Sequence, residues 1–210
     1  NGTTSQFVIN GLGGADLIYG GQWNDTINGG GGGDFIYAGD GKDVVNGQAG
    51  NDYIDGGEGK DRLFGGEGND SIYGNNGNDV IDGGNGNDSL DGGYDDDKIS
   101  GGAGNDIAHG GEGDDTVQGA AGNDRVYGDD GDDTVLGGDG NDSLYGDDGD
   151  DVLNGNAGNN VLRGTAANNV LDGKAGSDTA VFSGAAATYT LVGTTTSRTD
   201  NNTRNHSRPC

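Results

Sequence analysis

Aspartate recurs at every ninth residue along most of the chain. The series runs Asp16, Asp25, Asp34, Asp43, Asp52, Asp61, Asp70 and Asp79, then Asp88, Asp97, Asp106, Asp115, Asp124, Asp133, Asp142 and Asp151. Asn160 and Asn169 hold the next two places, and Asp178 closes a run of 19 nonapeptides without an insertion. A carboxylate at a fixed interval supplies one hard oxygen donor per repeat, which suits a hard divalent cation. The pairs Asp114-Asp115, Asp132-Asp133 and Asp150-Asp151 have the composition of a glycosidase carboxylate pair. They recur with the repeat, however, and an active site is not built many times over. No second histidine, cysteine or serine forms a catalytic spacing with His109 or His206. The chain is expected to be no enzyme itself, with any catalytic domain lying outside it.

The other eight residues of each repeat must position that carboxylate. Glycine holds the first position in 18 of 19 repeats, with Ala38 the exception, and the fourth in 16, with Trp23, Asp95 and Ala167 the exceptions. The eighth is aliphatic or alanine throughout, from Ile18, Ile27 and Ile36 to Leu162, Leu171 and Ala180. Each repeat therefore divides into a six-residue glycine-rich turn and a three-residue x-U-x strand. Side chains alternate along a strand, so the eighth position faces inward and the seventh and ninth outward. Glycine reaches positive φ freely and lets the turn aim several carbonyl oxygens at one point. Carbonyl and carboxylate oxygens are the ligands Ca²⁺ takes, six to eight at a time.

Composition agrees. The 210 residues include 50 glycines, one proline and no methionine, and only 29% are hydrophobic. One conventional packed core is not expected from that composition. Acidic residues number 36 against 10 basic, a formal charge of −26. Phosphates would be repelled, so nucleic acid and anionic membrane are excluded as partners, and a cation is the natural one. Low hydrophobicity with high charge also fits disorder, but disorder requires no period. No apolar run reaches membrane-spanning length, and Cys210, the single cysteine, allows no internal disulfide. Beginning at Asn1, the chain reads as a fragment or a processed product.

Gly65-Gly66-Glu67-Gly68-Asn69-Asp70-Ser71-Ile72-Tyr73 reads G-G-x-G-x-D-x-U-x. This closely resembles the RTX, or hemolysin-type, calcium-binding nonapeptide repeat of secreted bacterial proteins, and the resemblance covers residues 11 to 181. It implies an all-β fold, a right-handed parallel β-roll (β-solenoid) with 18 residues per turn, about ten turns and roughly 48 Å long at the strand spacing of a sheet. Alternate loops then stack on opposite edges. One edge holds Asp16, Asp34, Asp52, Asp70, Asp88, Asp106, Asp124 and Asp142; the other holds Asp25, Asp43, Asp61, Asp79, Asp97, Asp115, Asp133 and Asp151. The resemblance places an ion between successive loops of one edge, held by these aspartates, with Asp178 as a further ligand. Backbone carbonyls of Gly30, Gly32, Gly39, Gly41, Gly57, Gly59, Gly66, Gly68, Gly84, Gly86, Gly102, Gly104, Gly111, Gly113, Gly138 and Gly140 would complete the sites. Counting adjacent pairs gives roughly 14 Ca²⁺, whose charge nearly cancels that of the chain. Trp23 and Asp95 should distort their loops, and Asn160 and Asn169 should weaken the last turns.

The function implied is calcium binding that folds the module outside the cell, supporting secretion and stability of a larger protein by type I export. Two alternatives remain. One is an adhesion or carbohydrate-binding module using an exposed tyrosine face, with a polysaccharide or neighbouring domain as partner. The other is the C-terminal fragment of a secreted protease, lipase, epimerase or hemolysin. That face carries Tyr19, Tyr37, Asp55, Tyr73, Asp91, His109, Tyr127, Tyr145, Arg163 and Val181 at the ninth positions of one sheet. Residues 1 to 10 read as a degenerate capping repeat with Ile9 inward and Phe7 in place of aspartate. Residues 182 to 192 read as capping strands or a hairpin, and 193 to 210 as a polar disordered tail.

Overall fold

One inward aliphatic side chain per nine residues gives one strand per repeat, and two repeats make one coil. The computed structural model describes residues 6–165, 167–182, 190–192 and 196–200, and these form strands and turns without helices. The strands build two parallel sheets of eleven. Successive strands alternate between them: Val8–Gly13, Thr26–Gly31 and Val44–Ala49 open one sheet, and Leu17–Gly21, Phe35–Gly41 and Tyr53–Gly59 open the other. Each residue pairs with the one 18 positions on, as in Ile72↔Leu90↔Ala108. The fold is a parallel β-solenoid, as the period requires.

The core is one side chain wide from each sheet. Ile27, Ile36, Val45, Ile54, Leu63 and Ile72 are fully buried, and the column continues to Leu171 and Ala180. Ile9, from the degenerate first copy, pairs with Ile27 and packs against the same core. Parallel strands buried on one narrow face leave the remaining packing to the loops, which is where the carboxylates lie.

The strands outrun the three-residue segment expected of them. Most continue through the first three positions of the next repeat, so that Ser71–Asn76 has six residues and the turn shrinks to positions four to six, whereas Ser143–Tyr145 and Val170–Asp172 keep to three. The second position makes this possible. It holds positive φ, +113° at Gly66 and +103° at Gly84, so the chain rounds a corner while keeping its ladder partners. Gln48, Asn75 and Asp129 manage the same corner at φ 71–81°, in the left-handed region that asparagine and aspartate tolerate.

At the C-terminal end Thr190–Val192 and Thr196–Asp200 add in parallel to Val170–Asp172 and Asp178–Phe182, so they extend the coil as added strands. Thr196–Asp200 falls in the segment read as tail. An open sheet edge pairs through backbone groups, which any sequence without proline can supply. Residues 183–189, 193–195 and 201–210, including His206 and Cys210, lie outside the described residues.

The ninth-position row stands in register as read from the sequence, and its rings stack. Tyr19–Tyr37 centroids are 5.2 Å apart, and His109–Tyr127–Tyr145 form a continuous stack at 4.3 and 4.5 Å, capped by the Arg163 guanidinium. Tyr53, a seventh-position residue, bridges the gap at Asp55 by contacting both Tyr37 and Tyr73. Such pairs contribute about 0.5–1.5 kcal/mol each beyond area burial. Replacing Tyr127 and Tyr145 together by serine is expected to lower the melting temperature of the calcium-loaded protein while preserving its β spectrum. An unchanged melting temperature would assign the stack a role other than support.

Candidate metal centres

Every sixth-position residue from Asp25 to Asp178 is buried, at 4% exposure or less, although all but Asp178, which opens a strand, sit in loops; Asp16, in the first turn, is half-buried. From Asp25 on, each carboxylate divides its work between two oxygens. Oδ1 reaches back to the preceding turn: it accepts the backbone N–H of Asp52 at Asp70 (2.8 Å), of Asp88 at Asp106 (2.8 Å) and of Asp115 at Asp133 (2.8 Å). The carboxylates therefore rise in two columns with 18-residue steps, one along each edge of the roll. A second ladder runs in the opposite sense through the fifth position. There the N–H of Asn69 donates to Asn51 Oδ1, that of Asn87 to Asn69, and that of Asp132 to Asp114. This staple was missed in the sequence, where the signal was the Asn and Asp preference just before the repeat aspartate.

Oδ2 has no such partner. In all sixteen aspartates from Asp16 to Asp151 it is buried without a hydrogen bond. A buried carboxylate oxygen left unpaired carries a large desolvation penalty. The first-position glycine explains where it goes. A Cβ on Gly83 would lie 2.5 Å from Asp88 Oδ2 and 2.5 Å from the Gly101 carbonyl oxygen of the next turn, and Gly29 and Gly101 repeat the arrangement. The missing Cβ is thus a cradle into which a carboxylate and a carbonyl oxygen converge. This first-position carbonyl joins the second- and fourth-position carbonyls that the sequence suggested. The fourth-position carbonyls of Gly32, Gly68 and Gly86 aim along the column at the fourth residue of the following turn, where any Cβ would collide with them. Second-position carbonyls also serve the ladder, as where Asp148 N–H donates to Asp129 at 2.9 Å, but each keeps a second lone pair.

Among the described residues no three carboxylate, imidazole or thiol groups gather at one point. The donor set is instead one orphaned carboxylate oxygen per repeat among stacked carbonyls. That combination of hard oxygens and partial charges fits Ca²⁺ and offers nothing to a soft or nitrogen-seeking metal. Electrostatics point the same way. Burial, only partly offset by the backbone N–H, pushes Asp61, Asp70, Asp79 and Asp133 up to about 7 and Asp97 to about 8. Asp106, Asp115, Asp142 and Asp151 rise to about 6 for the same reason, and neighbouring carboxylates add to the effect. Without a cation, burial therefore favours the protonated form of these nine carboxyls over the ionised one.

The exceptions behave individually. Asp95 replaces a fourth-position glycine and turns at φ 72°, whereas glycines at that position turn mostly at 129–147°, so its loop is reshaped. Trp23 does not adopt a positive φ at all and stands 43% exposed. Asn160 keeps the ladder, its Oδ1 accepting the Asp142 N–H at 2.8 Å. That commitment leaves its Nδ2, buried and unpartnered, where the others place Oδ2. An N–H donor cannot ligate a cation. Replacing Asn160 by Asp is therefore expected to raise the calcium stoichiometry by about one, read by calorimetric titration; an unchanged count would show that this turn lacks the remaining oxygens.

Two parallel sheets wound from nonapeptides, with buried carboxylates columned along both edges, define a repeat β-roll of the cation-binding kind. The family model for the RTX calcium-binding nonapeptide repeat matches the chain in overlapping segments, 8–36, 23–54, 37–72, 55–90, 73–108, 109–144 and 145–180. The chain belongs to that family, whose repeats bind calcium. No individual curated protein matches it, so membership rests on the repeat itself.

Proposed function

We propose that this module is a calcium-driven folding switch: unfolded where calcium is scarce, a rigid roll where it is abundant. The observation that carries the reading is the set of sixteen buried Oδ2 atoms without partners. One aliphatic side chain per nine residues offsets little of the ordering entropy, and each orphaned carboxylate adds to the cost. A cation between successive turns reverses the sign of that last contribution. The ligands are the sixth-position aspartates from Asp16 to Asp151 with carbonyls of the stacked glycines, about 14 ions in all, and Asn160 and Asn169 end the columns.

Affinities of extracellular calcium modules, roughly 10⁻⁴–10⁻³ M, match this use. Inside a cell the chain would remain threadable for export, and outside it would fold and stabilise the larger protein to which it belongs. Catalysis has no place in the reading, because each sixth-position aspartate from Asp25 to Asp151 already accepts a backbone N–H at Oδ1 and keeps Oδ2 buried. The test is far-UV circular dichroism of chelator-treated protein titrated with calcium, with magnesium as control. A cooperative coil-to-β transition at millimolar calcium and none with magnesium is expected. A full β spectrum in chelator would overturn the switch.

A further inference from the structure

The aromatic row of one sheet is interrupted once without a bridge. Tyr73 ends one stack and His109 begins the next, and Asp91 stands between them in register. Two strand spacings, about 9.6 Å, separate the rows of Tyr73 and His109. Beside Asp91, the second-position residues Gly93 and Gly111 carry no side chain, whereas Asn75 and Asp129 flank them on either side. A groove of about 460 Å³ results, with Tyr94, Glu112 and Asp130 along its far wall.

The groove interrupts a pairing rule of this face. Asp55 accepts a hydrogen bond from Asn75 Nδ2 at 2.8 Å, and His109 Nδ1 meets Asp129 Oδ2 at 2.8 Å, both across 20 residues. The equivalent partner of Asp91 is Gly111, which offers nothing. Asp91 therefore faces the groove without the N–H donor that its counterpart Asp55 receives. Glu112, Asp129 and Asp130 add carboxylates, and His109 is the one basic group among the groove's lining. The charge rejects anions, including acidic polysaccharides. The Tyr73 and Tyr94 rings favour a cation with a planar or apolar body.

We propose that this groove binds an organic cation carrying N–H donors, a guanidinium or primary ammonium group, seated against Tyr73 and Tyr94 with its N–H groups on Asp91. Its source is either a free small cation or a basic side chain of a partner protein. The experiment is NMR titration of calcium-loaded protein with ethylguanidinium and butylammonium, against 1-butanol as neutral counterpart and tetramethylammonium as a cation without donors. Saturable shifts at Tyr73, Tyr94 and His109 are expected for the first two, with at least tenfold weaker binding for the controls. Asp91→Asn and Tyr94→Ala should each weaken binding about tenfold while circular dichroism shows the roll intact, and either variant suffices if the other misfolds. Tighter binding of an arginine-containing tripeptide amide than of ethylguanidinium would assign the site to a partner protein; equal binding would assign it to a free cation. No saturation, equal binding of 1-butanol, or displacement by a modest excess of calcium would overturn the proposal.

Discussion

Acidifying the metal-free chain from pH 8 toward pH 4 is expected to draw it toward the roll, while the same change releases calcium from the loaded protein. The sign follows from burial. In the folded state nine sixth-position carboxyls are raised to about 6–8, against an ordinary value of 3.8. Between those limits the roll binds more protons than the unfolded chain does. Stability of the metal-free roll therefore rises as pH falls through the window, and it levels off once the unfolded carboxyls are protonated too. Protons and calcium compete for the same Oδ2 atoms, so calcium affinity falls over the same range. Circular dichroism in chelator and calorimetric titration with calcium, each stepped from pH 8 to pH 4, read the two halves. A metal-free chain indifferent to pH throughout would show that carboxylate desolvation is not what opposes folding.

Substituting a fourth-position glycine is expected to damage the roll far more than substituting a second-position one. Gly122 turns at φ +146°, outside the region open to L side chains, and a Cβ there would collide with the Gly104 carbonyl. Gly122→Ala should cost on the order of 3 kcal/mol and shift the calcium midpoint of folding upward. It should also disturb the loops on either side, because each turn of a solenoid leans on its neighbours. Gly102→Asn makes the contrast. Its position turns at +106° here, where a Cβ would also collide with the Gly84 carbonyl, but Asn75 and Asn156 occupy equivalent corners at +73° and +64°, so the backbone can relax into the left-handed region and relieve that contact at a cost of about 1 kcal/mol. Equal effects of the two substitutions on the calcium midpoint and melting temperature would contradict this account of the loops.

Much of this was legible in the residues themselves. The period placed the strands, and the inward Ile27, Val45 and Leu63 pair with their neighbours as the eighth position required. The 18-residue step put Asp70 against Asp52 and Tyr127 against Tyr145. An uninterrupted repeat has one way to stack in register, so its chemistry is readable along the chain. Other features arise only between turns. That strands run on through a left-handed corner depends on backbone torsions, which a glycine-rich string leaves open. That Tyr53 bridges Tyr37 and Tyr73 follows from ring orientations across two strands. That Thr196–Asp200 joins a sheet reflects backbone pairing, to which the side chains give no cue. Most of all, the splitting of each carboxylate into one satisfied and one orphaned oxygen was decided by tertiary structure. The sequence determined which residues carry charge and at what interval; the stacking of turns determined which oxygen of each loses its water, and that loss is what a cation would relieve.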